Sequence, residues 1–74
     1  MNSVSSATIQ LTVNGTDLAV TSGLSVADWL AEAGRDPRSV AIELNGDILP
    51  RGRYAETVFV DGDKVEMVQF VQGG

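Results

Sequence analysis

Polar and apolar residues alternate along the first part of the chain. Between residues 8 and 13 the apolar side chains fall at every second position, which is the pattern of a strand with one buried face. Asn14-Gly15 follows, and Asn-Gly between two alternating runs is a strong hairpin signal because both residues tolerate positive φ. We therefore predict that residues 17–20 form a second strand, antiparallel to the first.

The apolar spacing then changes to that of a helix. Four apolar residues lie at i, i+3, i+4 and i+7, where they share one helix face: Val26, Trp29, Leu30 and Ala33. Ser25 is a favourable N-cap residue, Gly34 is a favourable residue just past the helix end, and Pro37 prevents the helix from resuming. We predict one helix with a single apolar face, and we expect Trp29 to lie in the core.

A second hairpin is predicted after the helix. Residues 40–44 alternate, and Asn45-Gly46 again provides a turn. The turn leads into the short apolar pair Ile48-Leu49, which Pro50 ends. These residues are expected to form the third and fourth strands.

The remaining residues contain a less regular segment and a final strand. Residues 51–60 lack a clean period, and we expect them to wrap the edge of the sheet and place three side chains against the core: Tyr54, Val58 and Phe59. Asp61-Gly62-Asp63 marks a tight turn before a strand from Lys64 to about Phe70. The predicted order is β-β-α-β-β-β, a two-layer α+β fold in which the helix covers one face of a mixed sheet.

The last strand has two different faces. Val65 and Met67 share the face expected to point at the helix, whereas Glu66, Val68 and Phe70 share the opposite face. Apolar side chains beside an acidic one favour a partner-binding surface. The alternatives are that residues 51–60 cover this face, or that its apolar residues are ordinary exposed ones.

Composition excludes several classes of function. The 74 residues suffice for one small domain, and they include no cysteine and no histidine, so disulfides and histidine or cysteine catalysis are excluded. Ten acidic against five basic residues give a net charge of −5, which disfavours nucleic acid and anionic membranes as partners. We expect a cytoplasmic, monomeric protein that is not itself an enzyme.

The printed sequence ends on two glycines, directly after the predicted last strand. We interpret Gly73 and Gly74 as a functional tail, since a diglycine carries an unhindered carboxylate on a backbone able to thread a narrow channel. The alternative is an ordinary frayed terminus. We expect a disordered segment at residues 1–7, without a signal peptide, a folded domain at residues 8–71 and a flexible tail at residues 72–74.

Several segments together resemble ThiS-type sulfur carriers, which belong to the β-grasp group with MoaD-type carriers and ubiquitin. The resemblance rests on Val13-Asn14-Gly15, the helix 25–30, the stretch 40–51, the segment 61–66 and Gly73-Gly74. The Asn-Gly-Asp-x-x-Pro-Arg stretch from Asn45 favours ThiS-type over MoaD-type carriers. The implied fold is a β-grasp.

The resemblance also implies a reaction cycle and its partners. An E1-like, ThiF-type enzyme using ATP and magnesium would adenylate Gly74, and a persulfide derived by a cysteine desulfurase would supply sulfur. The resulting thiocarboxylate would donate sulfur to a ThiG-type thiazole synthase in thiamine biosynthesis. The chain itself would bind no cofactor and no metal. In ubiquitin-like relatives, the face next to the tail docks on partners, which here implies Glu66, Val68 and Phe70.

Three other functions remain open at this point. The chain could carry sulfur for another pathway, such as that of the molybdenum cofactor, or act as a ubiquitin-like modifier joined to lysines of other proteins. It could also be a β-grasp interaction module whose glycines are incidental. Resemblance in fold alone does not decide among them.

Overall fold

The computed structural model describes residues 7–70, which form a five-stranded mixed sheet with one α-helix on one face. The elements are β1 (Thr8–Val13), β2 (Thr16–Thr21), α1 (Val26–Glu32), β3 (Val40–Leu44), β4 (Asp47–Leu49) and β5 (Lys64–Gln69), with 3₁₀ turns at Pro37–Ser39 and Arg51–Arg53. The predicted α+β class and element order are confirmed. No helix in the described range is long and apolar enough to cross a membrane.

The predicted chain ends lie almost wholly outside the described residues. Of the segment 1–7, only Ala7 falls within the range, and its carbonyl accepts a hydrogen bond from the amide of Ser22 at 2.9 Å. The tail at residues 72–74 lies outside it altogether. Disorder at both ends therefore stays a prediction.

Both predicted Asn-Gly turns are confirmed. Asn14 and Gly15 have φ values of 49° and 82°, and Asn45 and Gly46 have values of 54° and 90°. Two successive positive φ values match the right-handed twist of the flanking strands, and asparagine and glycine adopt them most readily. The first turn joins β1 to β2 and the second joins β3 to β4, each pair being antiparallel.

Strand β5 lies in the middle of the sheet, which has the order β2-β1-β5-β3-β4. It is parallel to β1 and antiparallel to β3. Its register with β1 covers only Lys64 and Val65, whereas its register with β3 continues to Gln69. The second half of β5 therefore extends past the end of β1.

The helix ends are formed as the sequence predicts. The Ser25 side-chain oxygen accepts a hydrogen bond from the amide of Asp28 at 3.0 Å. At the other end, the amide of Arg35 donates to the Leu30 carbonyl at 2.8 Å, and the amide of Gly34 donates to the carbonyl of Ala31 at 3.1 Å. With φ of 72° at Gly34, this is a Schellman motif, which stops the helix.

The core lies between the helix and one face of the sheet. Its buried hydrophobic residues come from the helix, the three central strands and the segment before β5: Leu11, Val26, Trp29, Leu30, Val40, Ile42, Tyr54, Phe59 and Val65. The rings of Trp29 and Phe59 meet edge to face, with centroids 5.5 Å apart and planes at 88°. The prediction that Trp29 is a core residue is confirmed.

One expected core contact is wrong. Tyr54 and Phe59 are buried as predicted, but the Val58 side chain is 48% exposed. Val58 pairs with Ser25 as an isolated bridge, and the amide of Phe59 donates to the carbonyl of Leu24 at 3.1 Å. Successive side chains of such extended backbone point in opposite directions, so the inward position of Phe59 turns Val58 outward.

Candidate functional site at the end of strand β5

The end of β5 leads toward the predicted tail. Gly73 and Gly74 lie outside the described residues. So does Gln72, the one tail residue to which the sequence assigns no role. The described part of the candidate site is therefore the strand up to Phe70 and its neighbours.

The face of β5 opposite the helix is exposed. Val68 is 60% exposed and Phe70 is 46% exposed, and Glu66 is also exposed, whereas Val65 on the other face is fully buried. The predicted assignment of the two faces is confirmed. Residues 51–60 leave Val68 and Phe70 exposed, so the alternative in which that segment covers this face is wrong. Partner binding by this face stays a prediction.

The neighbouring strands extend this exposed face. Val68 is the partner of Ala41 in the register of β5 and β3, and Glu43 of β3 faces Ile48 of β4. Ile48 is 77% exposed. We call this surface the exposed patch: Ala41, Glu43, Ile48, Glu66, Val68 and Phe70. Sequence reasoning missed its β3 and β4 members because the alternation indicated which residues point outward but not which strands are neighbours.

Two carboxylates face each other in the exposed patch. Glu43 and Glu66 are direct partners in the antiparallel register of β3 and β5. Like charges in directly opposed positions destabilise a sheet. The patch therefore combines apolar side chains with a concentrated negative charge, which suits a partner surface that carries a cation.

Hydrogen bonds hold the end of β5 from both sides. On the β3 side, the amide of Phe70 donates to the carbonyl of Ser39 at 2.8 Å. On the other side, the Asn14 side chain accepts from the amide of Met67 at 2.7 Å and donates to its carbonyl at 3.2 Å. These bonds hold the last described residues of the strand on both of its edges.

Arginine side chains lie around the same end of the molecule. Arg35, just after the helix, donates to the Gln69 side chain, and Arg51 Nε donates to the carbonyl of Pro37 at 3.2 Å. Arg38 is paired with Asp36 at 3.4 Å. The amide of Arg38 donates to the Asp36 carboxylate and, with the Arg38 guanidinium, holds the pKa of Asp36 below its usual value. Of these three arginines, Arg35 is the one whose side chain bonds to β5, so it places a cationic group at the end of the strand.

The family model for the ThiS family matches residues 7–74. The chain belongs to the ThiS family. The match covers the whole described fold and continues through Gly73 and Gly74, and it confirms the resemblance inferred from the sequence motifs.

Three examples show what this ThiS family chain is similar to. A thiazole synthase of Paramagnetospirillum magneticum is 39% identical over 66 residues, which are 89% of this chain but 20% of that protein. The sulfur carrier protein ThiS of Escherichia coli is 26% identical over 66 residues, its full length. The crystal structure of the thiamine biosynthesis protein ThiS from Geobacter metallireducens is 36% identical, with a TM-score of 0.75, over 89% of this chain and all of that one. The chain thus spans about a fifth of the thiazole synthase, and the structural likeness confirms the β-grasp fold.

The described part of this ThiS family member offers no evident metal site. Within residues 7–70, no three acidic side chains lie close enough together to hold a metal ion. Asp63, the buried carboxylate of that range, accepts hydrogen bonds from the Asn45 side chain and the amide of Val60, both at 2.9 Å. Its role there is to hold the turn before β5.

Proposed function

We propose that this chain is a sulfur carrier for thiamine biosynthesis, a protein co-substrate rather than an enzyme. The observation that carries the proposal is the ThiS family match over residues 7–74, which includes the diglycine. The similarity to the Escherichia coli sulfur carrier over its full length, and to a thiamine biosynthesis protein in fold, supports it further.

In this proposal, sulfur is carried on the α-carboxylate of Gly74. A carboxylate resists nucleophiles because it is anionic and resonance-stabilised, so an E1-like enzyme must first activate it. A carboxylate oxygen attacks the α-phosphorus of ATP, pyrophosphate leaves, and an acyl adenylate is formed. A persulfide sulfur then bonds to the acyl carbon as AMP leaves, which gives an acyl disulfide. A thiol attacks the sulfur of the persulfide donor in that bond, so a new disulfide forms and the thiocarboxylate is released. The chain has no cysteine that could hold the sulfur instead.

The described residues would serve to dock the domain on its partners. The exposed patch includes residues of β5, the strand that precedes the tail. A partner would contact the patch while the tail enters a channel of that partner. Burial of Val68 and Phe70 would contribute apolar contact, and Glu66 would face a cation of the partner. ATP, magnesium and the persulfide are supplied by the partner enzymes.

Thiazole synthase is the proposed recipient of the sulfur. Two proteins named thiazole synthase contain a segment similar to this chain that makes up 20% of their length. The presence of a carrier-like segment within a thiazole synthase chain favours direct contact between a separate carrier and a thiazole synthase. The thiocarboxylate sulfur, ionised at neutral pH and strongly nucleophilic by the same logic that makes thiolates reactive, would be transferred there.

Mass spectrometry of the loaded chain tests this proposal. Incubated with a ThiF-type enzyme, ATP, cysteine and a cysteine desulfurase, the chain should gain the mass difference of one oxygen replaced by sulfur, located on Gly74 by fragmentation. Deletion of Gly74, or one residue added after it, should abolish this gain and leave the melting temperature unchanged, because a terminal residue contributes little to stability.

Other outcomes would identify a different function. Sulfur on another residue, or a tail variant that loads at the normal rate, would contradict the carrier mechanism. Isopeptide adducts on lysines would indicate a modifier instead. A loaded chain that gives sulfur to molybdopterin synthase and not to thiazole synthase would place it in the molybdenum pathway.

A further inference from the structure

The second half of β5 lacks a neighbouring strand on its β1 side. The backbone of β1 stays beside β5 only as far as Asn14, whose amide donates to the carbonyl of Val65 at 2.9 Å. There the chain turns away, with φ of 49° at Asn14. The next backbone groups of β5 on this side, the amide and carbonyl of Met67, would otherwise face no strand.

The side chain of Asn14 takes the place of the missing strand. Its oxygen accepts from the amide of Met67 at 2.7 Å, and its nitrogen donates to the carbonyl of Met67 at 3.2 Å. A carboxamide has the same donor and acceptor as a peptide group, so it continues the ladder by one residue after the backbone has left. Aspartate and glycine also tolerate such turns, but an aspartate carboxylate has no donor and glycine has no side chain, so neither could make both bonds.

We propose that Asn14 is a positioning residue for the tail. It secures β5 three residues before Phe70, while Ser39 secures Phe70 from the opposite side. Together these contacts fix the direction in which the chain leaves the sheet toward Gly74. Without Asn14, the backbone of Met67 loses its hydrogen-bond partners on the β1 side, and the end of β5 samples other directions. This inference rests on the proposed function, since a fixed exit matters only if a partner must engage the tail.

The other Asn-Gly turn provides a matched control. Asn45 has φ of 54°, and its side chain also bonds to β5, accepting from the amide of Lys64 at 2.9 Å and donating to Asp63 at 2.9 Å. These contacts lie at the beginning of β5, far along the strand from the tail. Because Asp63 is buried, loss of its Asn45 partner should reduce stability more than loss of the exposed Asn14 bonds.

The experiment compares Asn14→Gly with Asn45→Gly in the full chain. Glycine keeps the positive φ of each turn and removes only the carboxamide. We expect hydrogen exchange at the Met67 amide to be about tenfold faster in Asn14→Gly than in the wild type, because two exposed hydrogen bonds are lost. Exchange at Met67 should be little changed in Asn45→Gly, even though its melting temperature falls further.

Adenylation kinetics provide the functional readout. If only a fraction of the molecules hold the tail in the direction that the enzyme can bind, the apparent affinity is reduced in proportion to that fraction, while the bound complex reacts normally. In Asn14→Gly, the KM of the adenylating enzyme for the chain should therefore rise roughly five- to tenfold with kcat unchanged, and Asn45→Gly should keep the wild-type KM. Asn14→Asp, which keeps the acceptor and sets a carboxylate oxygen against the Met67 carbonyl, should behave like Asn14→Gly.

The outcomes separate this inference from the proposed function. Equal KM values for Asn14→Gly and Asn45→Gly, or normal exchange at Met67 in Asn14→Gly, would overturn the positioning role. Should Asn14→Gly fail to fold, a wild-type KM for Asn14→Asp would overturn it as well. A wild-type chain that is never adenylated would refute the proposed function itself, independently of the exchange result.

Discussion

A charge placed in the exposed patch should weaken partner binding without unfolding the domain. Val68 is 60% exposed, so the domain itself buries about two-fifths of a side chain whose full burial stabilises by roughly 1.5–3 kcal/mol. Val68→Asp therefore removes roughly 0.6–1.2 kcal/mol of burial, and up to about 1 kcal/mol more because aspartate is unfavourable in strands. A 74-residue domain has roughly 4–11 kcal/mol of stability, so the variant should remain folded.

The expected loss of binding follows from the same exposure. If a partner covers the exposed three-fifths of Val68, that contact is worth roughly 0.9–1.8 kcal/mol, which corresponds to about a five- to twentyfold change in Kd. Burying the new carboxylate against the partner should weaken binding further. Calorimetric titration of the chain into the adenylating enzyme measures this change, and the fluorescence of Trp29 monitors folding.

Val60→Asp is the matched control for this experiment. Val60 is 61% exposed, and like Val68 it lies close to acidic residues, here Asp61 and Asp63. It precedes β5 and therefore lies away from the end of the strand that leads to the tail. Both variants should lose a similar contribution from burial, and Val60→Asp should lose less stability in total because Val60 lies outside the strands. Only Val68→Asp should bind more weakly. Equal affinity of the two variants would refute the assignment of the exposed patch as the docking surface.

Two further predictions concern stability. Trp29→Ala should lower the free energy of unfolding by roughly 3–5 kcal/mol, because it empties a core position against Phe59, and urea denaturation followed by circular dichroism measures it; a loss below about 1 kcal/mol would contradict the core role. Glu66→Gln should raise the melting temperature by a few degrees at low salt, since it removes the repulsion opposite Glu43, and the gain should shrink in 1 M salt. Glu56→Gln, which loses the ion pair with Arg53, should show no such gain; a Glu66→Gln variant less stable than the wild type would contradict this account.

Most of the fold could be predicted because local signals agree with one another. Both Asn-Gly turns, the Ser25 cap and the Gly34 stop depend on the conformational preferences of single residues, and these preferences act without knowledge of the rest of the chain. The two faces of β5 followed from a period of two together with a single helix to cover the sheet. The segment 51–60 was less predictable, and Val58 was wrongly expected in the core because that segment has no clean period.

The strand and helix types, the turns, the buried Trp29 and the diglycine could all be recognised from the sequence alone. These depend on periodicity and on the backbone preferences of individual residues, which are local properties. The folded structure was needed to show that β5 lies between β1 and β3, and hence that Glu43 faces Glu66 and that Asn14 bonds to Met67. Such contacts join residues far apart in the chain, and their partners are set by strand order and register, which no local pattern records.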